Sequence, residues 1–375
     1  MPENIKVMTI LGTRPEIIRL SETMKKLDKY TQHFIVHTNQ NYDYELNQVF
    51  FDQMKIRKPD YVLEVKGETI GEQIGKILSQ CEKVILKERP NAILILGDTN
   101  SALACIIAKR LKIVIFHMEA GNRCFDDRVP EEINRRIVDH TADINLCYTE
   151  HARRNLLREG MDPQNVFVTG SPIPEVYQVN QENIEKSSVL DSLGLAERKY
   201  FLASIHREEN VNSPKNFPLI IESLQKLAES YNMPVIFSTH PRTKKRIEEL
   251  QLKKDERIIF SKPFGMFDYI KLQKGAFCNL SDSGTIHEDA AVLGIPALNV
   301  RESNERPEAY DTGNAIMTGV DPETILASVK IVRAQFEAGI KFENPYAGQS
   351  ENCSDKVVRL IVGLNKIVLR KKYYM

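Results

Sequence analysis

The chain has 375 residues, which exceeds the size at which one hydrophobic core usually keeps growing, so two domains of similar size are expected. Its 51 basic residues balance 51 acidic residues and no basic stripe precedes the last residues, which argues against nucleic acid as a partner. The six cysteines show no CxxC spacing, and no apolar run is long enough for a membrane-spanning helix. These features predict a cytoplasmic protein with reduced thiols and no membrane insertion.

The first half of the chain alternates predicted strands with predicted helices. Residues 5–11 form a buried apolar strand that stops at Gly12, and the letters TRPE then lead into an amphipathic helix. The further strands are predicted at residues 33–38, 92–97, 113–119, 143–149 and 166–172, with a shorter turn near residues 61–65. This alternation is typical of α/β proteins with a parallel, doubly wound sheet.

The second half restarts the alternation after a more polar stretch, residues 177–198, which is interpreted as a linker with a lead-in helix. The strands of this half are predicted at residues 200–206, 234–240, 257–264, 276–284 and 296–302. An amphipathic helix ends the chain, and its apolar spacing favours packing on the body of the protein over a membrane surface. We therefore predict two α/β domains, 1–175 and 176–354, with polar strand ends on both and a cleft between them.

The turn after the first strand predicts an anion site. A strand, a glycine turn and a helix N-terminus together present backbone N–H groups to a negative charge. The turn carries one glycine and lacks the GxGxxG fingerprint, so no nicotinamide or flavin cofactor is expected. Arg14 and Arg19 could neutralise a pyrophosphate, although solvated cations at a helix start would look the same.

The segment 117–140 is unusually acidic for a connection between a strand and a helix. Its carboxylates are Glu119, Asp126, Asp127, Glu131, Glu132 and Asp139. Glu119 follows a predicted strand, where open α/β sheets bind their ligands. Glu131 and Glu132 could instead be structural, pairing one helical turn away with Arg135 and Arg136, and the pattern favours that role more for Glu132.

A second candidate anion site lies at residues 282–289. Ser283, Gly284 and Thr285 open a predicted helix and could hold a diphosphate, while Glu288 and Asp289 could accept the hydroxyls of a ribose. A serine-capped helix with acids in its first turn is the alternative.

The chain resembles the non-hydrolysing UDP-N-acetylglucosamine 2-epimerases over essentially its whole length. The motifs that carry the resemblance are GTRPEIIRL at 12–20, GDTNSA at 97–102, HMEAGNR at 117–123, PEEINRR at 130–136, TGSP at 169–172, HREEN at 206–210 and DSGTIHED at 282–289. The resemblance implies two Rossmann-like domains in a glycosyltransferase-B-like arrangement, a C-terminal helix at 355–375 that returns to the first domain, and a homodimer. It also implies that neither a metal nor a cofactor takes part.

Within the family, three stretches resemble most the branch that acts on 6-deoxy-L-sugars. They are HTNQNYDYELNQVFF, RCFDDRVPEEINRRIVDHTADIN and KPFGMFDYIKL. That branch forms UDP-N-acetyl-L-fucosamine from UDP-2-acetamido-2,6-dideoxy-L-talose in capsule or O-antigen synthesis. The alternatives are interconversion of UDP-N-acetylglucosamine and UDP-N-acetylmannosamine, hydrolysis of the UDP-sugar, a glycosyltransferase of the same architecture, and a regulator that binds a UDP-sugar.

The family mechanism eliminates UDP to a 2-acetamido glycal and adds it back, which calls for carboxylates near C2 and for cations on the diphosphate. By alignment, the expected catalytic residues are Asp98, Glu119, Glu131 and His206. The expected UDP-sugar-binding residues are Arg14, Arg19, Gln40, Arg207, His240, Tyr269, Ser283, Gly284, Thr285, Glu288 and Asp289. The chain departs from the family where Arg19 replaces a lysine and Thr285 a glycine, and where Asp289 is the shorter second acid of the usual pair.

Overall fold

The structure is a computed structural model that describes residues 5–40, 44–127, 129–239, 243, 246–247, 255–347 and 352–373. The chain forms two compact units, and each is described by itself. Unit 1 comprises Met1–Val176 with Tyr346–Met375, and unit 2 comprises Tyr177–Pro345.

Unit 1 is built on a sheet of seven parallel strands among its described residues, in the order β3-β2-β1-β4-β5-β6-β7. The strands are β1 (Lys6–Leu11), β2 (Gln32–His37), β3 (Tyr61–Val62), β4 (Ala92–Leu96), β5 (Val114–Met118), β6 (Ile144–Cys147) and β7 (Val166–Val168). The central strands are runs of apolar residues that are buried on both faces of the sheet, as parallel sheets require.

The strand order changes direction between β1 and β4: β2 and β3 lie on one side of β1, and β4 to β7 follow on the other. This point in the sheet locates the site. Ile10 pairs with Ile95, and Leu96 pairs with Met118, so the carboxyl ends of β1, β4 and β5 lie at the same edge. Such switch points are where doubly wound sheets bind ligands. The residues that follow these three strands, beginning at Gly12, Gly97 and Glu119, therefore lie together.

Helices connect these strands. In unit 1 they are α1 (Arg14–Tyr30), α2 (Tyr44–Gln53), α3 (Ile70–Glu88), α4 (Cys105–Arg110), α5 (Pro130–Thr141), α6 (Glu150–Arg158), α7 (Ile173–Val179) and α16 (Cys353–Val368). The helix expected directly after β4 begins instead as a 3₁₀ segment, Asn100–Ala104, before it becomes α4. α5 begins at Pro130, as its fixed φ favours.

The C-terminal helix α16 packs on α1 within unit 1. Its first turn is held by Glu175, which accepts hydrogen bonds from the Ser354 N–H at 2.9 Å and from the Ser354 hydroxyl. Lys26 of α1 pairs with Asp355 at 2.6 Å. These contacts place the helix on the body of unit 1, while Ile367 near its end is 41 % exposed.

Unit 2 is built on a second sheet of six parallel strands among its described residues, in the order β10-β9-β8-β11-β12-β13. The strands are β8 (Phe201–Ser204), β9 (Val235–Ser238), β10 (Ile258–Ser261), β11 (Cys278–Ser281), β12 (Ala297–Asn299) and β13 (Ile316–Met317). Ser204 pairs with Ser281 at the reversal between β8 and β11, so the segments after these two strands adjoin. Each unit thus confirms the predicted parallel, doubly wound α/β fold.

The helices of unit 2 include two short ones within residues 177–198, the stretch interpreted as a linker with a lead-in helix. The helices of this unit whose first and last residues are both described are α8 (Gln181–Glu185), α9 (Val189–Ser192), α10 (Glu208–Val211), α11 (Asn216–Tyr231), α12 (Met266–Gly275), α13 (Thr285–Leu293), α14 (Glu308–Asp311) and α15 (Pro322–Glu337). Val189 is buried in a cluster with Tyr200 and Leu272, so α9 belongs to the packed body of unit 2. Only a few buried apolar residues lie among the polar residues of this stretch, so its sequence does not indicate that packing.

None of the helices in the described part of the chain is long and apolar enough to cross a membrane.

Candidate active site

The turn after β1 lies against the ends of β2 and β4. A Cβ atom at Gly12 would come within 2.2 Å of Thr38 Oγ1 and 2.3 Å of Ser101 Oγ. The Gln40 side-chain oxygen accepts hydrogen bonds from the Ser101 N–H at 3.1 Å and from its hydroxyl at 2.9 Å. Glycine is therefore required for this close packing, and Gln40, a predicted substrate-binding residue, helps to hold it.

Glu16 is a buried carboxyl group at this turn that the sequence analysis did not single out. It is 1 % exposed and accepts hydrogen bonds from the Gly12 N–H at 3.1 Å and from the hydroxyls of Thr13 at 2.7 Å and Thr99 at 3.2 Å. Burial raises its pKa to about 7 because these hydrogen bonds offset only part of the lost hydration. Glu16 thus joins the turn after β1 to the residue that follows Asp98.

The two arginines of the first motif lie in different surroundings. Arg14 is exposed, and its guanidinium lies 5.4 Å from the ring centroid of Phe50. Arg19 is buried, with its guanidinium 5.7 Å from the ring centroid of Tyr148 and NH1 3.9 Å from Glu119 Oε2. Arg19 therefore contributes a positive charge beside a candidate catalytic acid.

Glu119 occupies a strained backbone conformation at the end of β5. Its φ is 65°, a left-handed value that is uncommon outside glycine and that concentrates at functional sites. Its carboxylate lies 3.5 Å from the Tyr148 hydroxyl and 3.5 Å from Asn122 Nδ2. Gly97, at the end of β4, also has a left-handed φ, and a Cβ there would lie 3.7 Å from Glu119 Oε2.

Asp98 and α5 are joined by Arg135. Arg135 Nε donates to Asp98 Oδ2 at 2.8 Å, and Asn134 Nδ2 donates to the Asp98 carbonyl at 2.9 Å. Arg135 also donates to Glu132 at 2.9 Å. Glu131, the third candidate acid, is half-buried in the first turn of the same helix.

Glu132 is structural, which is one of the two roles that the sequence left open for it. It pairs with both Arg135 and Arg136, and it accepts hydrogen bonds from the N–H groups of Cys124 at 3.0 Å and Phe125 at 3.4 Å. Burial opposes its ionisation, but the Cys124 N–H and the Arg135 charge outweigh that effect and lower its pKa. An ionised Glu132 therefore fixes the loop before α5.

Asp139 is also structural. It is buried and accepts hydrogen bonds from His117 Nδ1 at 2.8 Å, Arg123 NH1 at 2.6 Å and the Gly121 N–H at 3.1 Å. Burial alone would raise its pKa, but the hydrogen bond and charge of His117 and the charge of Arg123 lower it. The acidic segment thus contains buried carboxylates that hold the structure together as well as candidate catalytic carboxylates.

In unit 2, His206 and Arg207 follow β8 and are positioned by Asp282. The fully buried Asp282 carboxylate accepts hydrogen bonds from the His206 N–H at 3.0 Å and the Arg207 N–H at 2.9 Å, and from Asn210 at 3.1 Å. The His206 side chain is 39 % exposed, with Nδ1 3.5 Å from Asp282 Oδ1. In the sequence Asp282 is only the first residue of the motif DSGTIHED, and its contacts with these backbone N–H groups depend on the tertiary fold.

The segment Ser283–Thr285 leads into α13 with Gly284 as the N-cap residue. Ser283 Oγ lies 3.0 Å from Thr285 Oγ1, and the Thr285 N–H donates to Ser283 Oγ at 3.3 Å. A Cβ atom at Gly284 would come within 2.3 Å of Glu305 Oε1, so a carboxylate packs directly on this turn. The hydrogen bond from the Thr285 N–H to Ser283 Oγ, which the serine-cap alternative describes, uses groups that the predicted anion site would present to a diphosphate.

The two acids expected to bind a ribose are buried and paired within unit 2. Glu288 is fully buried and lies 2.6 Å from Arg306 NH1. Asp289 accepts hydrogen bonds from the Tyr177 hydroxyl and from Gln273 Nε2, the latter at 2.8 Å. Ribose binding by either acid stays a prediction, and it would require that these pairs open or share their oxygens.

The remaining predictions concern an aromatic residue, a histidine and metal ions. Tyr269 lies on α12 and packs against the buried cluster that includes Tyr200. His240 lies outside the described residues. Among the residues that the structure describes, no group of three or more His, Cys, Asp or Glu side chains is arranged to hold a metal ion.

Comparisons with known proteins identify a family and its fold. A model of the family described as UDP-N-acetylglucosamine 2-epimerase matches residues 25–362. The structure of a UDP-N-acetylglucosamine 2-epimerase from Rickettsia bellii matches with a TM-score of 0.92 and 46 % identity, covering 100 % of both chains. That of the Methanocaldococcus jannaschii UDP-GlcNAc 2-epimerase, in complex with UDP-GlcNAc and UDP, matches with a TM-score of 0.89 and 36 % identity, covering 96 % of this chain and 100 % of that one.

A relative with a different named substrate is also similar. The UDP-2,3-diacetamido-2,3-dideoxy-D-glucuronate 2-epimerase of Pseudomonas aeruginosa is 36 % identical over 332 residues, which cover 87 % of this chain and 92 % of that protein. The solved structures confirm the expected glycosyltransferase-B-like fold of two Rossmann-like domains.

Proposed function

The chain belongs to the UDP-N-acetylglucosamine 2-epimerase family, and from this premise we propose that it converts UDP-2-acetamido-2,6-dideoxy-L-talose to UDP-N-acetyl-L-fucosamine. Membership of the family makes it an isomerase that inverts C2 of a UDP-sugar. The proposal adds the identity of the sugar and the roles of individual residues.

The chemistry explains why several carboxylates are needed. The hydrogen on C2 is not acidic enough for direct removal because no carbonyl group is conjugated to that carbon. When the C2–H bond breaks, its electron pair forms the C1–C2 double bond of a 2-acetamido glycal, and the C1–O electron pair leaves with UDP. Protonation of C2 on the opposite face and return of UDP to C1 complete the inversion. One carboxylate must therefore act as the base that removes a proton from C2, and another carboxyl group must act as the acid that delivers a proton to C2.

We assign this proton transfer to Asp98, Glu119 and Glu131. The observation that most directly supports the assignment is the left-handed backbone of Glu119, which turns a carboxylate toward the end of β4, where Asp98 follows. Arg135 joins Asp98 to the helix that carries Glu131. The proposal names the three carboxylates as a set and assigns no separate base or acid.

The nucleotide is assigned to unit 2 and to the cations of the first motif. Ser283, Gly284 and Thr285 present a helix N-terminus, and Arg207 follows the neighbouring strand. His206, Arg14 and Arg19 are proposed to share the charge that develops on the departing UDP. The complex of the M. jannaschii enzyme with UDP-GlcNAc and UDP supports a UDP-sugar as the ligand.

The 6-deoxy sugar is proposed from the loop that precedes α5. Phe125 is 69 % exposed and has a φ of 53°, an unusual combination for a bulky apolar residue. Glu132 holds the N–H groups of Cys124 and Phe125, so the side chain is presented by a fixed loop. An apolar ring suits the methyl group of a 6-deoxy sugar better than a hydroxymethyl group.

The second candidate is interconversion of UDP-N-acetylglucosamine and UDP-N-acetylmannosamine, which the names of the R. bellii and M. jannaschii proteins favour. The P. aeruginosa relative indicates that the family accepts other sugars, so these names alone do not decide the substrate. Family resemblance also leads us to propose a cytoplasmic homodimer in capsule or O-antigen synthesis.

The test incubates the protein with each UDP-sugar in D₂O and follows C2 by NMR. With the 6-deoxy-L-sugar, the proposal expects that deuterium enters C2, that the configuration at C2 inverts and that UDP stays attached to the product. The kcat/KM for this substrate should be well above that for UDP-N-acetylglucosamine. Glu119→Gln should abolish the label while UDP binding persists. Stoichiometric UDP release would indicate hydrolysis, transfer only with an acceptor would indicate a glycosyltransferase, and binding without label would indicate a regulator.

A further inference from the structure

We propose that His117 is a positioning residue that fixes the elements carrying the three candidate catalytic carboxylates, through a ring protonated on both nitrogens. The inference rests on the proposed function, because it concerns the acids of that reaction. His117 lies on β5, two residues before Glu119, and is 1 % exposed.

Both nitrogens of the ring face hydrogen-bond acceptors. Nε2 lies 2.9 Å from the Gly97 carbonyl oxygen, which can only accept. Nδ1 lies 2.8 Å from Asp139 Oδ1, and Asp139 is held ionised by Arg123, whose NH1 donates to its other oxygen at 2.6 Å. A neutral ring has one N–H, so it would leave one of these two contacts without a proton. The geometry therefore favours an imidazolium.

This pair lies where three elements of unit 1 meet. The Gly97 carbonyl belongs to the end of β4, and Asp98 is the next residue. His117 belongs to β5, whose end carries Glu119, and Asp139 belongs to α5, whose first turn carries Glu131. One short chain of hydrogen bonds, from Gly97 through His117 to Asp139, thus spans the three elements that present the acids.

Asp139 extends the same connection to the turn that follows Glu119. Its carboxylate accepts hydrogen bonds from the Gly121 N–H at 3.1 and 3.3 Å. Glu119 has a left-handed φ of 65°, which a residue with a side chain rarely adopts, while Gly121 adopts its φ of 85° without strain. The His117–Asp139 pair is suited to maintain the conformation of this turn.

The charges around the ring are consistent with a buried cation. Burial disfavours the charged ring, but the hydrogen bond and charge of Asp139, the Gly97 carbonyl and the charge of Glu119 raise its pKa. Arg123 is the second cation of the cluster, and it is paired with both Asp139 and Glu159. Two cations and two paired acids balance, which makes the buried charge tolerable.

A second buried histidine of the same sheet provides a matched control. His33 on β2 lies 2.8 Å from Thr9 Oγ1 and 2.7 Å from Asp28 Oδ1. The Thr9 hydroxyl can donate as well as accept, so a neutral His33 satisfies both contacts. Burial lowers the pKa of His33, and its hydrogen bonds involve Thr9 and Asp28 and none of the candidate acids.

The charge state is tested on the wild-type protein by nitrogen-15 NMR of the histidine rings at pH 7. The ring signals of His117 are assigned by their absence from the spectrum of His117→Gln or His117→Asn. They should show protons on both nitrogens, while the signals of His33 should show one unprotonated nitrogen. A neutral His117 ring at this pH would overturn the inference. This measurement does not depend on turnover or on the folding of any one variant.

The positioning role is tested by kinetics on His117→Gln and His33→Gln. The glutamine side chain of the His117→Gln variant cannot reach both Gly97 and Asp139, so kcat for C2 inversion should fall by about 100-fold, as small misplacements of catalytic groups do. KM and the Kd for UDP should change less than about two-fold, because binding energy is lost only where the acids act. His33→Gln should lower thermal stability comparably and leave kcat near the wild-type value.

The outcomes separate the inference from the proposed function. Equal effects of the two substitutions on kcat, or a loss confined to KM, would mean that His117 has no special link to the acids. If the wild-type protein labels C2 of neither UDP-sugar, the proposed function fails, and the NMR result still decides the charge state of His117.

Discussion

The pH dependence of stability should carry a signature of Glu16. Burial raises the pKa of this carboxyl from 4.5 to about 7, so the folded protein holds a proton that the unfolded chain has already released. Between these pH values the folded state binds more protons, and the free energy of unfolding therefore falls as the pH rises. At about 1.4 kcal/mol for each pKa unit, the full loss is about 3 kcal/mol.

The substitution Glu16→Gln isolates this loss. The amide oxygen of glutamine can accept from Gly12 and Thr13, and its amide group can donate to the Thr99 hydroxyl, so the hydrogen bonds of the acid persist. The variant should resemble the wild type near pH 5 and should gain about 2 to 3 kcal/mol over it by pH 8.5. The gain must therefore grow with pH.

The assay is urea denaturation followed by circular dichroism at pH 5 and pH 8.5, with hydrogen exchange of peptides from unit 1 to assign the transition. Glu72→Gln is the control, because Glu72 has the corresponding position in α3 but is exposed and accepts from the Glu68 N–H. Its effect should not increase with pH. A gain for Glu16→Gln that is constant, or that grows toward acid, would refute the reasoning.

Three further substitutions test the packing of other parts of the chain. Gly284→Ala should weaken UDP binding by roughly ten-fold in titration calorimetry, because its Cβ would come within 2.3 Å of Glu305 Oε1; unchanged affinity would contradict this. Gly75→Ala, with no atom within 4 Å of the new Cβ, should raise the free energy of unfolding by about 0.5–1 kcal/mol in urea, and destabilisation would argue against α3. Glu175→Ala should leave the Ser354 N–H without its acceptor and speed hydrogen exchange in α16 by an amount equivalent to about 2 kcal/mol; unchanged exchange would dispute that anchor.

The fold could be predicted from the sequence because each buried parallel strand is a continuous run of apolar residues. Such a run is recognised from neighbouring residues alone, without knowledge of tertiary contacts. The polar residues that end these strands were also visible, and the register of β4 and β5 brings two of them, Asp98 and Glu119, to one edge. The packing of residues 177–198 was not visible in the sequence, again because the pattern is read locally. Ile184 and Val189 are buried anchors in a polar stretch, and only the tertiary packing distinguishes them from exposed residues.

The finer structure of the site depends on contacts between residues that are distant in the chain. In the sequence, Glu16 reads as an acid in the first turn of a helix, and its bond to Thr99 spans 83 residues. The paired role of Glu132 was foreseen from its spacing to the following arginines, but its bonds to Cys124 and Phe125 depend on the path of the loop. Local spacing does not reveal either contact.

The acidity of the segment 117–140 has a physical explanation once its carboxylates are divided by environment. Asp139 and Glu132 are buried, and each is ionised because cations and backbone N–H groups surround it. Each ties an element that carries a candidate catalytic acid: Asp139 ties the ends of β4 and β5 to α5, and Glu132 ties α5 to the preceding loop and, through Arg135, to Asp98. Carboxylates that must act on one carbon repel each other, and that repulsion would spread them apart if their backbones were free. Buried acids paired with His117 and arginines supply rigidity without adding net negative charge, so an acid-rich segment is what a rigid site of several carboxylates requires.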